Sequence, residues 1–285
     1  MTWVGGIVAF AITIRSAPSS ANDSTAVMAA GGIQLTESKD VAMESEDLRI
    51  SENLVRVTYK FRNKGSKDVK TKVAFPLPPI PVCEEECYED LPLSDGPNPM
   101  AFKLKVDGKP KRFETARKKQ TSFSTVEETV VEGPSKTPRK VRRRVKNVEI
   151  LISHHWSQVF PRDRAVTIEH TYVPAAGGSI LGPHMDPKGG IPQYCLGEKL
   201  LRKLVSSGSE YAYREVHYIL KTGANWKGPI GHFKLTLIKQ HPRDIISTCL
   251  PDTRRVSPTT FEVVRESFEP TEDLAILFVP RGPNN

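Results

Sequence analysis

Residues 53–63 read NLVRVTYKFRN, with Val55, Val57, Tyr59 and Phe61 on one phase and Arg56, Thr58, Lys60 and Arg62 on the other. Period two marks a strand buried on one face and wet on the other. Lys64-Gly65-Ser66-Lys67 is a turn signal. After it, Val69, Thr71, Val73 and Phe75 alternate with Lys70, Lys72 and Ala74. The two runs predict an antiparallel hairpin. It ends at Pro76-Leu77-Pro78-Pro79, which cannot continue a ladder.

The same pattern recurs outward from this stretch. Phe102, Leu104 and Val106 precede Asp107-Gly108, a strong turn. Val148, Ile150 and Ile152 form another run, and Val166, Ile168, His170 and Tyr172 a further one. Strands are expected at Val216 to Thr222, His232 to Lys239, Ile245 to Leu250, Thr260 to Val264 and Leu274 to Val279. One helix is expected, Leu196 to Ser206, with Leu200, Leu201, Leu204 and Val205 at helical spacing. The 23 prolines among 285 residues suit a loop-rich β protein, because proline breaks helix interiors. The expected fold is therefore mainly β: an antiparallel β-sandwich, Ig-like or similar, in two packed β domains with one short helix in the C-terminal half. The domains fall at 22–176 and 177–285. Between about 107 and 147 the alternation decays into charge and a Glu132-Gly-Pro-Ser135 stretch, so an irregular basic excursion is expected there.

Val4 to Ile14 is an uncharged apolar run, too short for a bilayer, followed by the small residues Ser19-Ser20-Ala21. This predicts a signal peptide over 1–21, although Met1-Thr2-Trp3 carries no Lys or Arg. No later stretch is long enough for a transmembrane anchor. Export makes nucleic acid an unsuitable partner. It directs attention instead to phospholipid head groups, lipopolysaccharide phosphates or acidic polysaccharide as anionic surface partners for Arg139, Lys140, Arg142, Arg143, Arg144 and Lys146, in a chain of net charge +8. The alternative for this run is a plain solvated surface.

Three groups of residues resemble a known family. The first runs from Asn22-Asp-Ser-Thr-Ala26 through Ala30-Gly-Gly-Ile33 to Met43-Glu-Ser-Glu-Asp-Leu-Arg-Ile-Ser51. The second is Val73-Ala-Phe-Pro-Leu-Pro78. The third joins Trp156-Ser-Gln-Val-Phe-Pro161, Glu169-His-Thr-Tyr-Val-Pro174 and Thr222-Gly-Ala-Asn-Trp-Lys-Gly-Pro-Ile230, with Ser257-Pro-Thr-Thr-Phe-Glu262 and Phe268-Glu-Pro270 beyond. Together they resemble the domain of unknown function 4424 family, secreted proteins of Gram-negative bacteria, over nearly the whole chain. The resemblance implies export to the periplasm or beyond and a shared fold, and it carries over no catalytic residue. Residues 113–146 depart from the family in being shorter and more basic, as does the Cys83 to Cys87 insert. The hairpin ending in Phe-Pro-Leu-Pro is also similar, more distantly, to the vault-protein and inter-alpha-trypsin-inhibitor β-sandwich domain.

Specific chemistry is sparse. Export allows disulfides, and the simplest pairing is local: Cys195 with Cys249, and Cys83 with Cys87, with two other pairings open. His154 and His155 are adjacent, so a strand sends them to opposite faces, unsuited to one metal. His170 lies on the apolar phase of its run and reads as a core residue. His184-Met-Asp186 lacks a third ligand, and no metal or cofactor is expected. Neither an elbow serine nor a phosphate loop is present. Trp156 reads as core, whereas Trp226, with Asn225 and Lys227 in a Gly/Pro turn, is the candidate partner contact. The expected function is a non-enzymatic binding or structural role in the cell envelope, with an envelope protein or an anionic surface polymer as the expected partner. The competing reading is a hydrolase of envelope polysaccharide or peptide whose site is built from scattered residues.

Overall fold

The computed structural model describes residues 24–29, 32–82, 96, 98–131, 138–183 and 185–281. In chain order the strands are β1 (Ser24–Ala29), β2 (Gly32–Thr36), β3 (Val41–Ile50), β4 (Val55–Asn63), β5 (Val69–Pro76), β6 (Ile80–Val82), β7 (Lys103–Val106), β8 (Lys109–Pro110) and β9 (Glu114–Val131). They continue as β10 (Pro138–Phe160), β11 (Ala165–Tyr172), β12 (Gly177–Leu181), β13 (Tyr211–Tyr218), β14 (Ile230–Ile238), β15 (Ile245–Thr248), β16 (Arg254–Arg255), β17 (Thr260–Phe268) and β18 (Leu274–Val279). Helix α1 (Glu198–Val205) lies between β12 and β13.

Three sheets result. The first has the order β2-β1-β5-β10-β6, with β9 also on β10. The second runs β16-β17-β14-β3-β4-β11-β7-β8, and the third β12-β13-β18-β15. The sandwich is mainly antiparallel; β14 on β3 is parallel. Val73, Phe75 and Trp156 of the first sheet, Val57, Tyr59 and Leu235 of the second, and Val216, Ile276 and Phe278 of the third share one buried cluster. The second sheet thus faces the other two across a common core.

Strand β18 shows how alternation builds the layers. Leu274, Ile276 and Phe278 enter the common core, while Leu277 and Val279 enter a second cluster with Leu201, Leu204 and Val205 of α1. Both faces are covered, so the strand reads as an unbroken apolar run. Helix α1, of eight residues, is too short to persist alone and is held by this apolar face. At β14, a Cβ on Gly231 would stand 2.5 Å from the Glu44 carbonyl oxygen, so the close approach beside the β3 bulge requires glycine.

Several elements match the sequence expectation. Asp107 and Gly108, with φ of 48° and 75°, make the tight two-residue turn between β7 and β8. Val166, Ile168, His170 and Tyr172 all point inward on β11. Others differ. The runs at 55–63 and 69–76 are not a hairpin: β4 belongs to the second sheet and β5 to the first. Their apolar phases meet across the core instead of lying side by side, which satisfies the same alternation. Buried Asn63 holds the arch between them, donating from Nδ2 to the Lys67 and Phe160 carbonyls and accepting from Gly65 N–H. The strand expected at 216–222 begins earlier, as β13, and Lys221–Asn225 is a 3-10 turn. The second sheet also draws β14, β16 and β17 from beyond the expected 176/177 boundary.

The largest difference is at 107–147, where an irregular excursion was expected. Strands β9 and β10 instead pair in unbroken register from His155↔Glu114 to Pro138↔Val131. Charges on both phases hide the alternation, while Thr and Val along β9 and Val and Ile along β10 supply β propensity.

Candidate functional site

Strand β10 has a partner on its other side along 148–150, from β6, and along 153–160, from β5. Residues 138–147 and 122–131 therefore leave the sheet as a two-stranded ribbon, roughly 30 Å long at the rise of a strand. Lys140, Arg142, Arg144 and Lys146 continue the phase of core residues Val148, Ile152 and Trp156. Across the ladder, Glu127 faces Arg142, Thr125 faces Arg144 and Phe123 faces Lys146. Contacts agree with this register. Glu127 carboxylate oxygens lie 2.7 Å from Lys140 Nζ and 3.5 Å from Arg142 Nε. The Arg144 guanidinium lies 4.2 Å over the ring of Phe123, which is 57% exposed. The hydrogen bond from Lys140 and the charge beside it hold the Glu127 carboxyl below the usual range. Among the described residues of this phase of the ribbon, the one carboxylate, Glu127, is shared by Lys140 and Arg142, and Arg144 and Lys146 continue the row. The opposite phase carries Arg143 with half-buried Val141, Val145 and Val126. Arg139 is placed in β10 opposite Val130.

A second polar group lies inside the sandwich. The His154 ring stacks on Phe102 with centroids 4.1 Å apart, and its Nδ1 is 2.9 Å from Thr115 Oγ1. His170 is fully buried among Phe75, Phe102, Trp156 and Tyr59. Tyr218 donates its hydroxyl proton to Glu46 at 3.1 Å, so Tyr59, 2.8 Å from Tyr218, is the donor to it. His154 Nε2, Trp156 Nε1 and the Tyr172 hydroxyl are buried with no hydrogen-bond partner among the described residues. Burial pushes the His154 pKa down to about 4 and that of His170 well below its usual value. Both rings are therefore neutral at neutral pH and sealed from solvent. They pack the core.

The other sequence candidates fall as follows. His154 and His155 do point to opposite faces; His155 Nε2 lies 4.0 Å from Glu114 on the side away from Phe102. His170 and Trp156 are core residues, as expected. Trp226 is not a surface anchor. It is 3% exposed and packs on Phe61 and Phe160 with centroids at 4.4 and 5.7 Å. Its turn folds back onto the end of the sandwich. Lys227 N–H donates to the Val41 carbonyl, Ser38 N–H donates to the Asn225 carbonyl, and the Asn225 side chain donates to Ser24 Oγ. Lys227 itself is exposed. Cys195 and Cys249 are joined, with Cα atoms 5.0 Å apart. Cys83, Cys87, His184 and the signal segment 1–21 lie outside the described residues. Among the described residues no three His, Cys, Asp or Glu side chains group as metal ligands, and no helix is long and apolar enough to cross a membrane.

The family model for a domain of unknown function, DUF4424, matches residues 21–130 and 142–277. The interruption takes in the described residues Val131 of β9 and Pro138 to Val141 of β10. Among solved structures, a candidate nutrient-binding protein from Legionella pneumophila is similar with a TM-score of 0.50 and 19% identity, over 91% of this chain and 71% of that one. At that identity the likeness is one of fold. None of the curated proteins matches this chain.

Proposed function

The chain belongs to the domain of unknown function 4424 family, and from that premise we propose that it is an exported cell-envelope protein that binds an anionic partner rather than catalysing a reaction. The observation that carries this reading is the β9–β10 ribbon, where Lys140, Arg142, Arg144 and Lys146 share one phase with Glu127 among the described residues. The Cys195–Cys249 disulfide supports an oxidising compartment. The family resemblance and the fold likeness to a candidate nutrient-binding protein support binding over chemistry.

The test is capture from native envelope with the intact chain as bait, beside a variant with Lys140, Arg142, Arg144 and Lys146 changed to Ser. The wild type is expected to retain partners that salt releases, because exposed charges are screened at physiological ionic strength. The variant is expected to lose them. Equal capture by both proteins refutes the ribbon as the working surface. Turnover of envelope glycans or peptides by the purified chain would establish the hydrolase reading instead.

A further inference from the structure

The ribbon's two phases differ in chemistry, and that difference bears on what it binds. One carries Lys140, Arg142, Arg144 and Lys146 around the exposed ring of Phe123; the other carries Arg143 among half-buried valines. We propose, resting on the binding function above, that the Phe123 phase lies against a bilayer surface rich in anionic phospholipid. Lys140, Arg142, Arg144 and Lys146 meet the lipid phosphates while Phe123 enters the headgroup boundary.

Three observations select a lipid surface over a soluble polyanion. The ribbon is two strands wide and projects past β5 and β6, so among the described residues no wall stands beside it to clamp a polymer chain. Its cations repeat at every second residue, about 7 Å apart along the strand, and present charge to a surface along its length. The Arg144 guanidinium already covers one face of the Phe123 ring. A sugar or base stacking on that face must displace it. A membrane interface instead takes the ring from its free side and leaves the guanidinium at phosphate level, the division of labour of basic and aromatic residues at membrane surfaces.

The experiment is co-sedimentation of the full chain with phosphatidylcholine vesicles, with and without phosphatidylglycerol. Each cation at an anionic leaflet is worth about fivefold in partitioning. The double variant Arg144→Gln/Lys146→Gln is therefore expected to bind phosphatidylglycerol vesicles about 25-fold more weakly. Arg143→Gln, on the other phase, is expected to lose no more than about twofold, through distance and screening. Phe123→Ser is expected to weaken binding even at salt concentrations that screen the charges. Circular dichroism of each variant confirms that the sandwich is intact. An equal loss from Arg143→Gln overturns the assignment of the phase. Unchanged vesicle binding by Phe123→Ser, with full displacement of the wild type by soluble polyphosphate, overturns the lipid in favour of a polymer. No binding to phosphatidylglycerol vesicles overturns the proposal outright. The binding function above fails separately, if the ribbon variant still captures its envelope partners or the purified chain turns over envelope glycans or peptides.

Discussion

Acidification should weaken this sandwich through His154. Its ring is locked on Phe102 inside the core, and burial holds its pKa down to about 4 against an ordinary 6.5. The folded pKa lies below the unfolded one, so the unfolded chain takes up the proton first. The stability that the neutral ring supplies is complete above pH 6.5 and is lost as pH falls from there toward 4. At about 1.4 kcal/mol per unit the full contribution is about 3 kcal/mol, of which about 2.5 kcal/mol is gone at about pH 4.5. His170, lowered by the same burial, acts in the same direction. Glu44, held low first by its hydrogen bond to Arg62, also loses stabilisation on protonation. The variant His154→Phe isolates the first contribution, because it keeps a ring against Phe102 and removes the titrating nitrogen. Urea unfolding followed by tryptophan fluorescence, at neutral pH and at about pH 4.5, should show the wild type losing about 2.5 kcal/mol more than the variant. If both proteins lose the same amount, His154 is not buried as a neutral base and the argument fails.

Three further outcomes are expected. Trp226→Ala should destabilise the fold by about 3–5 kcal/mol, as expected for a large aromatic deleted from a core, read as a lower urea midpoint; a change under about 1 kcal/mol would mean that the turn does not fold back onto Phe61 and Phe160. Replacing Cys195 and Cys249 by Ser opens a link between residues 54 apart, and the chain-entropy account gives a loss of about 4 kcal/mol in thermal or urea unfolding. Gly231→Ala forces a methyl group against the Glu44 carbonyl and should cost about 1–3 kcal/mol by the same measurement; an unchanged midpoint would show that β3 and β14 can separate locally.

Period-two reading located most of the strand cores, because side-chain direction is a local consequence of backbone pleat. Leu274 to Val279 coincides with β18, and Val166 to Tyr172 with β11. It did not locate partners. The runs of β4 and β5 carry an ideal hairpin pattern, yet alternation is equally satisfied by two strands facing each other across a core, and only tertiary packing chooses. The ribbon escaped notice for a different reason. Its exposed strands need no buried phase, so hydrophobic periodicity has nothing to report; Thr and Val content around Glu132-Gly-Pro-Ser135 was the available signal. The basic residues were legible as a candidate site from composition, but their division into two phases needed the register. Trp226 misled because a tryptophan between glycines looks exposed, whereas its turn is tied back through Asn225 and Lys227.

The parallel seam between β3 and β14 has a consequence for the order of events in the life of the chain. Ser45 waits for His232, and Leu48 for Leu235, before the middle of the second sheet can close. Until β14 (Ile230–Ile238) exists, the β3 edge that it covers is open. Such long-range pairing slows folding. A chain whose central sheet closes only when β14 has been made stays pliable during synthesis, and pliability is what the export proposed above would require of it.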